Sequence, residues 1–366
     1  MGFLNYAQAR TAAKRRLPKG LFDYIDRGVG EEASLKALSK SLNETVIVPR
    51  ILSGLVEPEL STTLFGKRYS APFIIAPTAM AGLIHQGGEM ALARAAKTFG
   101  IPFCLSTQSL SSVDEVAAAV PDLDLWMQIY LWQDLSYSEQ LLKRAWDAGA
   151  RVAVMTVDTP KGSRKEWNMQ SGFDMPFRIS PRSVGDLALR PGWLLRVILP
   201  HMLRSGLPAM NNFPHGIQPK LLGRKIHPGL TMRRGLSWDD VAWLRDKWSG
   251  PLVLKGILAP DDAEKAISMG ADGIVVSSHG ARNFDASPAP INVLSDISSV
   301  CAGRVTVMAD SGIRRGLDVL RYQEKGARAV MLGRLPIYAL AAEGMKGVTK
   351  ALEILSEELS EALRYR

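Results

Sequence analysis

The sequence of this 366-residue chain predicts a (β/α)8 barrel, strand and helix alternating eight times around a closed sheet. Three observations carry that prediction. Apolar runs ending in small or polar residues recur at intervals of roughly 20–30 residues, helix-patterned stretches lie between most of them, and no Gly-x-Gly-x-x-Gly or Walker motif follows any run. The first two specify a parallel sheet wrapped by helices. The third argues against an open dinucleotide-binding sheet.

Taken in order, the stretch from Tyr6 to about Lys40 reads as a helical N-terminal segment, with Leu17, Leu21 and Ile25 at helical spacing and a break at Gly28–Gly30. The strand candidates are Phe73–Pro77, Phe103–Ser106, Leu125–Tyr130, Val152–Asp158, Leu252–Gly256, Ile274–His279, Val305–Asp310 and Val330–Arg334. Continuous β-branched residues such as Ile274, Val275 and Val276 suit strands buried on both faces. Helices are expected over Glu89–Phe99, Ser112–Ala119, Glu139–Ala148, Pro260–Met269 and Gly316–Lys325, and an amphipathic helix over Val348–Leu363 is expected to pack on the barrel or on another subunit. The expectation is one domain over 1–366 with its barrel core at about 71–345.

One interval is out of step. About 90 residues separate Asp158 from Leu252, a length that marks an insertion, at about 159–237, expected to be a lid, a binding element or a disordered segment. Within it, 191–210 mixes Trp193 and leucines with arginines and is too short to span a bilayer. Two placements are open: in a membrane interface, with Trp193 and the leucines entering the headgroup boundary and the arginines meeting anionic lipid, or buried against the barrel or a neighbouring subunit.

Composition narrows the partners. The formal charge of +9 favours anionic ligands, but the basic residues are dispersed and form no arm or aromatic-studded repeat, so no nucleic acid is expected. Cys104 and Cys301 sit in apolar runs without a CxxC spacing, which reads as reduced core thiols and no metal site. The lack of a secretory signal or a spanning helix points to a cytoplasmic protein, peripheral at most on the inner face of the cell membrane.

In a barrel of this kind the carboxyl ends of the strands build the functional face. Those ends supply Pro77, Thr78 and Ala79, then Ser106, then Gln128 and Tyr130, then Thr156 and Asp158, then Lys255. Ser277, His279 and Arg282 follow strand six, where a group able to move a proton near neutral pH stands three residues from an anion clamp. Asp310, Ser311, Gly312, Ile313 and Arg314 follow strand seven, and Gly333 and Arg334 follow strand eight, where barrels commonly bind a phosphate. Ser106, Gln128 and Thr156 suit the polar edge of a flat heterocycle, and Lys255 suits negative charge developing on such a ring.

These residues, with Leu17-Pro18-Lys19, Asp23-Tyr24, Thr156-Val157-Asp158, Leu254-Lys255-Gly256 and the Ser277-to-Arg282 run, resemble the FMN-dependent (S)-2-hydroxy acid oxidase and dehydrogenase family over nearly the whole chain. The resemblance implies FMN as cofactor and a small 2-hydroxy acid as substrate. It implies His279 as base, Asp158 stabilising its imidazolium, Arg282 binding the substrate carboxylate, and Tyr24 and Tyr130 hydrogen-bonding the substrate. FMN would be held by Pro77 to Ala79, Ser106, Gln128, Thr156, Lys255, Ser277, Asp310 to Arg314, Gly333 and Arg334. The electron acceptor is expected to be a quinone or dye-like molecule, with an oxygen-using, peroxide-forming oxidase as the alternative, and the assembly a homotetramer. The insertion is similar to that of membrane-associated mandelate and L-lactate dehydrogenases. Two departures stand out: Ser278 replaces the usual Asn, and Lys165, preceded by Arg164, replaces a second substrate-side arginine. Lysine keeps the charge without the planar fork, which reshapes carboxylate recognition.

Overall fold

The computed structural model describes residues 2–52, 54–160, 165–173, 181–220 and 226–366. Its centre is built from β1 (Phe73–Ile75), β2 (Phe103–Leu105), β3 (Leu125–Ile129), β4 (Val152–Thr156), β5 (Leu252–Ile257), β6 (Gly273–Val276), β7 (Thr306–Ala309) and β8 (Ala329–Leu332). All pair in parallel with their neighbours in chain order, and β8 returns to β1 through Val330–Phe73, Met331–Ile74 and Leu332–Ile75. The expected (β/α)8 barrel is therefore closed. Except in β5, each strand stops short of the polar end of its apolar run, and those last residues open the loops at the barrel mouth.

Side chains alternate across a strand, so each run divides between two cores. Ile74, Cys104, Trp126, Val154, Val253, Val275, Met308 and Met331 fill the barrel, while Phe73, Phe103, Met127, Ala153, Leu254 and Ile274 join the larger core under the helices. A hairpin of Thr62–Leu64 and Lys67–Tyr69 adds Leu64, Tyr69 and Phe65 to the inner cluster, with Phe65 5.7 Å from Trp126. It plugs the end of the barrel opposite the mouth.

The helices follow their local signals. Ser112 and Glu115 form a reciprocal cap at the start of Val113–Ala119, Ser112 Oγ accepting from the Glu115 amide at 3.2 Å and Glu115 Oε2 from the Ser112 amide at 2.7 Å. The N-terminal segment is three helices, Tyr6–Arg16, Lys19–Asp26 and Ala33–Glu44, and its expected break lies between the last two. The last helix, Arg334–Leu363, is broken by non-helical backbone at Glu343 and Gly344. Its second half carries Val348, Leu352, Leu355 and Leu359 inward at helical spacing and packs on Gly316–Glu324.

The insertion contains a helical run from Pro191 to Ser205 whose middle, Leu194–Ile198, winds as a π-helix. Of the two placements left open for Trp193, the structure shows the buried one. Trp193 is only 8% exposed and its indole N–H donates to the Leu83 carbonyl at 2.7 Å, so it anchors the run to the barrel and does not enter a headgroup layer. A buried indole N–H is satisfied by such a carbonyl partner. Leu195 and Leu203 on the other face are 61% and 78% exposed. Among the described residues no helix is long and apolar enough to cross a membrane.

Two glycines offer a steric test of this packing. A Cβ on Gly316 would stand 2.3 Å from the Leu359 amide nitrogen, whereas one on Gly185, in the helix Pro181–Ala188, would meet nothing within 4 Å. Gly316→Ala is expected to destabilise the fold by about 1–3 kcal/mol through overpacking. Gly185→Ala is expected to be neutral or stabilising by up to about 1 kcal/mol. Urea denaturation of both variants checks the contrast; equal midpoints would disprove the close helix packing.

Candidate active site

The alternation that fills the barrel also builds its mouth. Two residues beyond Cys104, Trp126, Val154, Val253, Val275 and Met308 stand Ser106, Gln128, Thr156, Lys255, Ser277 and Asp310, every one polar and buried. Another step of two from Gln128, Thr156 and Ser277 reaches Tyr130, Asp158 and His279. One pleat therefore carries the inner face from apolar plug to polar floor to reactive rim.

The floor is hydrogen-bonded throughout. Gln128 Oε1 accepts from Ser106 Oγ at 3.3 Å and from the Thr107 amide at 3.1 Å, and its Nε2 donates to Thr156 Oγ1 at 3.1 Å. Lys255 Nζ lies 2.7 Å from Asp310 Oδ2 and donates to Ser277 Oγ at 2.9 Å. Burial alone drives the Lys255 ammonium toward deprotonation, but Asp310 and Asp158 outweigh it and hold its pKa above the ordinary value. Lys255 therefore stays an ammonium, paired with Asp310 in the floor.

At the rim, His279 Nδ1 sits 3.0 Å from Asp158 Oδ1. Burial pushes the Asp158 carboxyl upward, yet the His279 and Lys255 charges prevail and leave it below the usual carboxylate range. Asp158 is thus an anion wherever the chain is folded near neutrality. It fits because position 256 is glycine: Gly256 has φ +117°, and a Cβ there would come 2.6 Å from Asp158 Cβ. Strain gathers at the same mouth, where Met80, His279, Ala281 and Ser311 have φ of 55°, 53°, 59° and 76° without being glycine. Tyr130, with its phenol pushed upward by burial and by Asp158, stays protonated and able to donate.

Arg282 and Arg334 do more than sequence assigned them. Arg282 Nη1 donates to the carbonyl of Tyr24 and, at 3.4 Å each, to those of Ile25 and Arg27; Arg334 donates to Ile25 at 3.0 Å and Arg27 at 3.3 Å. Both close the carboxyl end of the helix Lys19–Asp26, where unpaired carbonyls attract cations. The helix end brings Tyr24 into place: the Arg282 guanidinium lies 4.9 Å from its ring centre, Lys165 Nζ 5.6 Å, and the Phe173 ring 5.7 Å. Burial, then the neighbouring Arg334, lower the Arg282 pKa. Arg164 lies outside the described residues.

One cavity of about 980 Å³ joins these parts. It is lined by Pro77 to Ala79, Ser106, Gln128, Thr156 and Lys255, by Tyr24, Tyr130, Lys165, His279 and Arg282, and by Asp310 to Arg314, Gly333 and Arg334. Asp158 and Ser277 stand behind His279 and Lys255 and do not line it. Ser278 is buried, and its Oγ, like Asp158 Oδ2, has no hydrogen-bond partner among the described residues. Sequence reading missed Asn283, whose Nδ2 donates to the Asp158 carbonyl at 3.0 Å, to Asp158 Oδ1 at 3.2 Å and to Thr159 Oγ1 at 2.9 Å. It also missed Thr107, whose hydroxyl links the Gln128 carbonyl to the Tyr130 amide. Both lie in the loops after strands, where the step of two no longer tells which way a side chain turns.

The donor set suits a flat heterocycle with a phosphate tail. Neutral donors and acceptors with one ammonium form the floor, and amides with arginines follow β7 and β8. Comparison with known proteins agrees. Residues 13–365 match the family model described as FMN-dependent dehydrogenase. An L-lactate dehydrogenase of Caulobacter vibrioides is 40% identical over 97% of this chain and 91% of its own, and one of Pseudomonas aeruginosa is 38% identical over 97% and 92%. The crystal structure of the monotopic membrane protein (S)-mandelate dehydrogenase superposes with a TM-score of 0.90 at 32% identity, covering 100% of this chain and 95% of that one. A mandelate oxidase variant with (S)-mandelic acid gives 0.82 at 33% identity, covering 99% and 94%. With the match running almost from end to end and a barrel mouth whose donors fit the cofactor, the chain belongs to the FMN-dependent dehydrogenase family.

Proposed function

We propose that this protein uses FMN to oxidise (S)-2-hydroxy acids to 2-oxo acids, that it favours substrates with an apolar side chain larger than methyl, and that it passes the electrons to a quinone at a membrane surface. The observation that carries the chemistry is the His279–Asp158 contact of 3.0 Å at the rim of a cavity that also holds Arg282, Tyr24 and Tyr130. FMN, when bound, supplies the acceptor for the two electrons that leave the substrate carbon. Ser106, Gln128, Thr156, Lys255 and the Pro77-to-Ala79 backbone would hold its ring, with Ser277 holding Lys255 from behind, and Asp310 to Arg314 with Gly333 and Arg334 its phosphate.

The chain's own residues do the rest. Arg282 draws the substrate carboxylate to the rim with the Lys165 charge in support, and the Tyr24 and Tyr130 phenols fix its orientation. Because Nδ1 of His279 faces Asp158, Nε2 is the ring atom left to take a proton from the substrate, whether from Cα or from the hydroxyl. Asp158 then stabilises the imidazolium. Oxidation removes two electrons and two protons from the substrate: His279 receives one proton, and the other would pass with the electron pair to FMN when it is bound.

The side-chain preference rests on the far wall of the cavity. Trp132 and Phe213, 4.7 Å apart, line the cavity together with Met210, Leu230 and Met232. Such a wall rewards each added methylene by about 0.8 kcal/mol. Relatives named for both lactate and mandelate are consistent with a site that varies here. The membrane reading rests on the exposed face of Leu195, Leu199 and Leu203 beside Arg196 and Arg204, and is supported by similarity to a monotopic membrane protein.

Three outcomes are expected. His279→Gln retains FMN by absorbance but loses about 10²–10⁴-fold in the anaerobic rate of flavin reduction by substrate; a near wild-type rate removes His279 from the base role. Across lactate, 2-hydroxybutanoate, 2-hydroxyhexanoate and mandelate, kcat/KM rises by roughly fourfold per methylene, and a preference for lactate overturns the side-chain assignment. The wild-type protein floats with phosphatidylglycerol vesicles and reduces a short-chain quinone with little peroxide, while the variant carrying Leu195→Ser, Leu199→Ser and Leu203→Ser stays at the bottom of the gradient; wild type left at the bottom, or peroxide as the main product, defeats the membrane reading.

A further inference from the structure

We propose that Asn283 is a positioning residue for the His279–Asp158 pair, holding the carboxylate against Nδ1 so that the neutral imidazole keeps its proton on Nδ1 and its lone pair on Nε2. The inference rests on the reading of His279 as the base. A carboxylate that merely touched an imidazole would be free to swing about its own side-chain torsions. Here the carboxamide of Asn283 grips both ends of that motion, reaching the main-chain carbonyl of Asp158 at 3.0 Å and its Oδ1 at 3.2 Å. Thr159 Oγ1, itself 2.9 Å from Asn283 Nδ2, donates to the same Oδ1 at 3.2 Å.

All three donors to the carboxylate therefore converge on Oδ1, the oxygen facing His279, while Oδ2 is buried with no partner among the described residues. Among the described residues no hydrogen bond on the Oδ2 side fixes the rotamer. Asn283 also closes a mechanical loop, because it sits four residues after His279 in the loop following β6 and grips a residue in the loop following β4. Losing it frees the two loops to separate and the imidazole to adopt either tautomer, and only one tautomer presents a base to the cavity.

The test uses the FMN-loaded enzyme labelled with ¹⁵N-histidine, with the His279 signals identified by their loss in His279→Gln. Wild type is expected to show a single Nδ1–H tautomer at high pH. Asn283→Leu and Asn283→Ala, at full FMN content, are expected to show both tautomers and about tenfold slower flavin reduction, and Asn283→Gln to restore the wild-type pattern. A wild-type tautomer in the Leu or Ala variant overturns the proposal whatever the rate, and loss of FMN from both assigns Asn283 a purely structural role. Should His279→Gln still reduce its flavin, the base reading fails, while the tautomer spectra continue to judge Asn283 on their own.

Discussion

Closure of β8 onto β1 is the constraint on which the rest of this molecule depends. A parallel barrel aims every strand end at one mouth, and the two-residue pleat decides what each strand presents there. With Ile74, Trp126, Val253 and Met308 committed to the interior by their size and apolarity, the inward positions two residues on have no alternative but to form the floor. Lys255, Gln128 and Asp310 thus converge from strands that are far apart in sequence. No loop has to be rigid for them to meet.

Converging polar groups bring a cost that the arrangement itself offsets. An unpaired buried charge is destabilising by several kcal/mol, so each charge at this mouth stands beside its opposite or beside aligned carbonyls. Lys255 has Asp310, Asp158 has His279, and Arg282 and Arg334 have the exposed carbonyls that end the helix Lys19–Asp26. The last of these explains why an N-terminal helical segment outside the barrel belongs to the site. That helix end supplies both arginines with carbonyl acceptors, and the Arg282 guanidinium in turn packs on the Tyr24 ring above the cavity.

The strands, and the residues at their ends, were legible because they depend on short-range rules. Apolar run length, β-branching and a polar stop are local properties, and the barrel then brings Ser106, Gln128, Thr156, Lys255 and His279 together by topology. Asn283 and the carbonyl contacts of Arg334 were not legible, since they depend on loop conformations such as the positive φ of His279 and Ala281 that no periodicity announces. The placement of Trp193 stayed open for a related reason. Its neighbours carry the composition of an interfacial helix, and only tertiary packing reveals that the tryptophan faces the Leu83 carbonyl while the leucines face outward.

That inward tryptophan gives the insertion a mechanical relation to the chemistry. Its indole is fixed to Leu83, in the short helical turn Ala81–Leu83 that directly follows Pro77, Thr78 and Ala79 at the cavity wall. The same turn is braced from beneath by Glu89, a fully buried carboxyl pushed upward by burial, which accepts the Leu110 amide at 3.0 Å. Farther along the insertion, Asn212 donates to the Ser106 carbonyl at 3.0 Å and accepts the Val113 amide at 2.8 Å, tying the segment to the end of β2. Two buried polar anchors at separate strand ends leave the exposed leucine face little freedom to move relative to the cavity. On the proposed membrane reading, docking that face therefore sets the orientation of the barrel mouth itself, so a lipid-soluble acceptor and a water-soluble acid can approach one cavity from different phases without a domain motion between the two half-reactions.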